Sequence, residues 1–173
     1  MTKTYTPSIW CGTYAKYNAG NLDGQWFDLE DYADKDELYA AFQAYHGPGE
    51  HEFMFNDHQD IPGKYVGESF ISPDVWDEWV SLDNDDKELL EVYQDNIDGS
   101  ATLAQAQEAF EGKCESKEDW AQDYWENTGL IESIPDSLQS YIDYASYARD
   151  CEMSGDITFV ERGYHDVWVF NSN

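Results

Sequence analysis

Apolar positions along the first 70 residues change their period twice. Ile9 to Tyr14 and Gln25 to Leu29 read as short strands, with turn chemistry between them in Asn18-Ala19-Gly20-Asn21 and Asp23-Gly24. Asp34 to Tyr45 switches to helical spacing, with Leu38, Ala41, Phe42 and Tyr45 on one side, and Gly47-Pro48-Gly49 stops it. His51 to Asn56 alternates as a third strand, and a loop rich in Asp, Pro and Gly runs through Gly67.

From Ser72 to Gly112 the period is helical throughout. Ser72-Pro73 reads as an N-cap followed by proline at the first helical position. Val75, Trp76, Trp79 and Val80 share one face of the helix, and Asp74, Asp77 and Glu78 lie opposite. A second helix starts near Asp83. Its apolar side is Leu89, Leu90, Val92, Tyr93 and Ile97, and Glu88, Glu91, Asp95 and Asp98 form a separate acidic stripe. A third runs from about Thr102 to Glu111 and ends at Gly112.

The last third reads as helices followed by a hairpin. Ser116-Lys117-Glu118-Asp119 has the form of a capping box. The helix after it carries Trp120, Ala121, Tyr124 and Trp125 on one side and Glu115, Asp119, Asp123 and Glu126 on the other. Pro135 opens another helix, with Leu138, Tyr141, Ile142, Ala145 and Ala148 inward. Asp136, Asp143 and Asp150 fall near one outward line. Ile157 to Arg162 and Tyr164 to Phe170 read as two strands around Gly163. The pattern predicts an α+β fold of three small subdomains. These are an N-terminal mixed α/β part over 1–71, a central acidic helical part over 72–112, and C-terminal helices plus a β-hairpin over 113–173.

Charge changes this picture more than any motif does. The 173 residues carry 37 Asp and Glu against 9 Lys and Arg, a net of −28. From Glu68 to Asp136 there are 20 acids and three bases. Self-repulsion on that scale destabilises a compact state, and high charge with low hydropathy is a disorder signature. Seven Trp, 13 Tyr and 8 Phe argue instead for a folded protein with an acidic skin. Direct nucleic-acid binding is disfavoured, because phosphate affinity comes from clustered Lys and Arg. An acidic surface can instead resemble a polyanion. At one charge per ~1.7 Å of duplex, the net charge corresponds to roughly 48 Å of DNA. An acidic outer face on any single helix is ordinary solvation, and a salt-adapted protein also has an acid-rich surface. The unusual feature is that every helix from Ser72 to Asp150 turns acids outward with almost no Lys or Arg among them. With Asp83, Asp85, Asp86, Glu108, Glu111 and Glu118, the acids named above are the candidate partner-binding carboxylates.

Other chemistries leave little trace. Asp83-Asn84-Asp85-Asp86-Lys87-Glu88 resembles the start of a calcium loop. It fails because Lys87 stands where an oxygen ligand is needed and Glu88 where glycine is needed. His46, His51 and His58 have no HxxxH spacing, so no metal is expected. Walker A, GxGxxG and GxSxG sequences are absent. A small acid-catalysed hydrolase would need one or two carboxylates singled out in a cleft, and the sequence singles out none. Cys11, Cys114 and Cys151 form no CxxC and read as reduced thiols of a cytoplasmic protein. No apolar run approaches the ~20 residues of a membrane span.

Three segments resemble the ArdA antirestriction proteins of plasmids, transposons and phages. Tyr17-Asn18-Ala19-Gly20-Asn21-Leu22-Asp23-Gly24-Gln25-Trp26-Phe27-Asp28-Leu29 is similar to that family's YNxGxLxGxWxDL signature. Phe110-Glu111-Gly112-Lys113-Cys114, before the helix at Trp120, is similar to its aromatic-x-Gly-x-aromatic run, with Cys114 in place of the second aromatic. Tyr141-Ile142-Asp143-Tyr144, Ala148-Arg149-Asp150 and Val167-Trp168-Val169-Phe170 complete the likeness. The resemblance implies an elongated, curved, dimeric mimic of bent B-form DNA. Such a protein occupies the DNA groove of Type I restriction–modification enzymes, meets their specificity and methyltransferase subunits, and protects incoming DNA. It implies no cofactor and no catalysis. It also implies a homodimer contact in the C-terminal part, near Ile157 to Arg162 and Tyr164 to Phe170. The alternative is an acidic mimic or chaperone for another basic DNA-binding protein or nuclease.

Overall fold

The computed structural model describes residues 3–172. The fold is α+β, and the chain divides into two compact units, Met1–Glu88 and Leu89–Asn173. In the first, β1 (Ser8–Thr13) leads into the short helix α1 (Tyr14–Asn18) and then β2 (Gln25–Asp28). A single 3₁₀ turn, Leu29–Asp31, precedes α2 (Lys35–His46) and β3 (Phe53–Gln59). The three strands form an antiparallel sheet in the order β2-β1-β3. Its register sets Trp10 beside Trp26 on one neighbour and beside Asp57 on the other.

Period-2 alternation gives this sheet two different faces. Ile9, Cys11, Phe27 and Phe55 are buried on the α2 side with Leu38 and Phe42. Phe42 is the hub, with ring centroids 4.8 Å from Phe27, 5.4 Å from Phe53 and 5.6 Å from Phe55. Asp34 caps α2 by accepting from the Glu37 N–H at 2.9 Å. Gly47 ends it at φ 90°, a conformation costly for any residue with a Cβ.

The loop expected through Gly67 contains a two-residue hairpin, β4 (Val66–Gly67) and β5 (Phe70–Ile71). The helix expected after Ser72 is a π-helical turn, Trp76–Val80. Two indoles hold it: Trp76 Nε1 donates to the Tyr32 carbonyl at 2.9 Å and Trp79 Nε1 to the Asp60 carbonyl at 2.7 Å. Helix α3 (Asn84–Asn96) then spans the division between the units. Lys87, near its start, is 2% exposed; its Nζ lies 3.3 Å from Glu30 Oε1 and 3.4 Å from the Val80 carbonyl.

The second unit continues with α4 (Leu103–Ala109), capped reciprocally by Thr102 and Gln105, and β6 (Phe110–Cys114). The helical reading to Glu111 is therefore corrected: Phe110 to Cys114 pair with the C-terminal strand, and that tertiary pairing overrides local period. After β6 come α5 (Lys117–Asn127), a 3₁₀ turn at Leu130–Ser133, α6 (Asp136–Gln139), α7 (Tyr144–Ser154), β7 (Ile157–Gly163) and β8 (Asp166–Asn171). The sheet order is β6-β8-β7, antiparallel. Because β8 is central, Val167, Trp168, Val169 and Phe170 are all buried. Val167 and Val169 join Trp120, Ala121, Ala148, Ile157 and Phe159 in one core. Trp168 and Phe170 pack with Phe110, at 5.3 and 5.5 Å between centroids.

The single helix expected from Pro135 is two. Asp143 caps a new start by accepting from the Ser146 N–H at 2.9 Å, and the segment before it is too short to bury a face. Leu138 and Tyr141, expected inward, are 52% and 83% exposed.

Candidate functional site

The candidate carboxylates are distributed over several elements, and the local fold decides which way each one points. In the first unit Asp74, Asp77, Glu78, Asp83 and Asp85 are exposed and Asp86 is half-buried. Burial of Val75, Trp76 and Trp79 turns Asp74, Asp77 and Glu78 outward. Glu78 accepts from the Tyr65 hydroxyl at 2.7 Å; burial and then this carboxylate push that phenol up. Asp83 accepts from the Asp86 N–H at 2.9 Å, so it serves the helix start as well as the surface.

Glu88 corrects the sequence reading. The helical period assigns it to an outward stripe, yet it is only 8% exposed. The reason is angular: Val92, one turn later on the same side of α3, is itself buried, so Glu88 lies at the seam between the stripe and the apolar side. Glu91 is half-buried, while Asp95 and Asp98 are exposed. The Ser100 hydroxyl and N–H both donate to Asp98 Oδ1 and lower the Asp98 pKa.

The remaining candidates, Glu108, Glu111, Glu115, Glu118, Asp119, Asp123, Glu126, Asp136, Asp143 and Asp150, are all exposed. Trp120 and Ala121 anchor α5 in the core, and this turns Asp119, Asp123 and Glu126 to solvent. Ser116 caps α5 by accepting from the Asp119 N–H at 3.1 Å, and its hydroxyl donates to Asp119 Oδ2 at 2.7 Å. The Ser146 N–H, then its hydroxyl, hold the Asp143 carboxyl below its usual range. Among the described residues, Asp77, Asp85, Asp95, Glu108, Glu111 and Glu118 have no hydrogen-bond or ion-pair partner for their carboxylates. The surface also includes acids outside the candidate set: Asp31, Asp36, Glu37, Glu50 and Glu52 are exposed in the first unit. For Asp36 and Glu37 the signal was present, since the helical period of α2 turns them away from Leu38 and Phe42.

Most of the cations described engage groups other than the candidate carboxylates. Lys16 pairs with Asp23, Lys87 with Glu30, and Lys117 with Glu152 at 2.8 Å and Glu161 at 3.3 Å. None of those acids is a candidate. Lys35, Lys64 and Lys113 lie over the rings of Tyr39, Tyr65 and Trp168 at 5.2, 4.6 and 3.8 Å. Arg149 pairs with a candidate, Asp150, at 3.4 Å, and His165 Nδ1 lies 2.9 Å from Glu115.

Burial pushes the Cys11 thiol up to about 12, and burial with the Asp119 and Asp123 charges raises Cys114. Neither is poised as a thiolate. Among the described residues no three His, Cys, Asp or Glu side chains converge as a metal site. No helix among them is long and apolar enough to cross a membrane.

No curated protein matches the chain. The family profile described as antirestriction protein (ArdA) matches residues 9–166, which takes in the resembling segments except the closing Val167-Trp168-Val169-Phe170. Its members are inhibitory proteins that act on restriction enzymes. The chain belongs to the ArdA family of antirestriction proteins.

Proposed function

We propose that this protein is a DNA mimic that occupies the DNA-binding groove of Type I restriction–modification enzymes. Its side-chain carboxylates stand in for phosphates and meet the Lys and Arg of the specificity and methyltransferase subunits. One observation carries the reading: exposed carboxylates recur on the helices of both units, while the few cations are held on aromatic rings or paired mostly with other acids. Two polyelectrolyte surfaces that meet release counterions, so association is fast and salt-sensitive. No carboxylate is required individually, and no cofactor takes part. The protein works as a homodimer through its C-terminal part, where Tyr164 is 94% exposed and Met153 78%.

The test is binding of the purified protein to a Type I methyltransferase core, competed with duplex DNA, at ~0.1 M and ~0.5 M salt. Exclusive competition with DNA and a steep loss at high salt are expected. A folded protein that does not bind the core removes this target and transfers the same surface to another basic DNA-binding protein or nuclease.

A further inference from the structure

The face of the first sheet turned away from α2 is only partly covered and is not purely acidic. It holds a cleft of about 440 Å³, within the ~300–1,000 Å³ usual for small-ligand sites. Gly12 forms part of its floor, where a side chain would begin to fill it: a Cβ there would stand 3.4 Å from Asn56 Oδ1. Trp10 and Trp26, cross-strand neighbours, meet edge to face at 5.9 Å between centroids. Tyr17 and Leu22 add further wall and are 52% and 72% exposed; Trp26 is 40% exposed. Tyr17, Leu22 and Trp26 are the large side chains of the signature segment that the sheet core does not use.

Two carboxylates complete the lining. The register of β1 on β3 shifts between Trp10 and Cys11, so the bulge delivers Asn56 and Asp57 in succession to the cleft. Asp57 stands opposite Trp10 and meets no cation among the described residues. Asp23, on the other side, is held by Lys16 and by the Tyr45 hydroxyl at 3.1 Å.

We infer that this cleft receives one arginine side chain of the basic partner, its guanidinium against the Trp10, Trp26 and Tyr17 rings and ion-paired to Asp57. This rests on the proposed function, which supplies a partner rich in Arg and Lys. The chemistry selects the occupant. Aromatic faces attract a cation, and a carboxylate with nearby amide oxygens suits the planar donor fork of Arg better than a strongly hydrated ammonium. A nucleotide, which would also stack, is repelled by the net charge of −28. The protein then combines diffuse carboxylate contacts with one shaped anchor.

The experiment titrates the ¹⁵N-labelled protein with the N-acetyl amides of arginine, lysine, citrulline and norleucine. It follows the indole N–H signals assigned through Trp10→Phe and Trp26→Phe. Expected is movement of the Trp10 and Trp26 signals with arginine, less with lysine and none with the two neutral probes, and its loss in Asp57→Asn. No movement, or equal movement with citrulline or norleucine, overturns the inference whatever the restriction enzyme does. In the second arm, Trp26→Leu and Asp57→Asn, each with wild-type circular dichroism, are measured against the methyltransferase core. Each should weaken binding about 2- to 5-fold, the effect of one exposed cation–π contact or ion pair. Unchanged affinity in both overturns the cleft as an anchor. Failure of wild-type protein to bind the core is failure of the DNA-mimic reading, and the probe titration still decides the cleft.

Discussion

Single side chains in this protein do one of two jobs, holding a local conformation or carrying charge outward, and the two respond differently to substitution. Ser116 belongs to the first kind. Ser116→Ala removes the acceptor for the Asp119 N–H and should cost about 1 kcal/mol, read as a lower urea midpoint. His46 responds to pH. Burial, then the Lys16 charge, hold its pKa below the usual 6.5, so folding favours its neutral form. Its contribution is intact above the unfolded value and is lost as pH falls through about 6.5 toward the folded value. Urea midpoints at about pH 7.5 and about pH 5.5 should therefore diverge more for wild type than for His46→Gln. Protonation of surface carboxylates acts on both proteins alike and cancels in that comparison.

At the scale of elements, the signature segment is a backbone device before it is a surface. A Cβ on Gly24 would stand 2.6 Å from the Cys11 carbonyl and 2.7 Å from Trp10 Nε1, so the turn into β2 closes only with glycine. Gly24→Ala should destabilise by ~1–3 kcal/mol and disturb the Trp10 and Trp26 indole signals. The outward face of α5 tests the distributed energetics of the proposed mimic. A single Asp123→Asn should change affinity for the methyltransferase core by no more than about fivefold, the worth of one exposed charge. Neutralising Glu118, Asp119, Asp123 and Glu126 together should weaken it by tens of fold and flatten its salt dependence. A single substitution that abolished binding would defeat the distributed account.

For the whole molecule, the question is how a net of −28 is compatible with folding. Two aromatic cores supply the opposing term: Phe42 with Phe27, Phe53 and Phe55 in the first unit, and Trp120 with Phe159 and the β8 valines in the second. A salt-adapted protein needs ions to stay compact, whereas this one should keep its far-UV circular dichroism and its urea transition in dilute buffer. Loss of compactness at low salt would move the acidic surface from function to adaptation.

Much of this was legible in the residues. Strong periodicity and caps placed β1, α2, α5 and the final hairpin, because those signals are local, and charge and the signature segment pointed to the family. Other features depended on partners distant in sequence. Phe110 and Glu111 read as the end of a helix and belong instead to a strand, because β8 is there to pair with it. Glu88 is the exception: it reads as outward, yet its i+4 neighbour Val92 already marks it as lying at the edge of the apolar side, where it is buried. Lys87 is one of three bases in the acidic stretch, and only its packing against Glu30 and Val80 takes it off the surface. The cleft was invisible for the same reason: Trp10, Trp26 and Asp57 lie far apart in the chain, and only strand register and one bulge bring them together. Sequence by itself determined composition, period and charge, which are properties of neighbours along the chain. Tertiary structure decided which acids are free, which cations are spent and where a cleft opens, since those depend on contacts made across it.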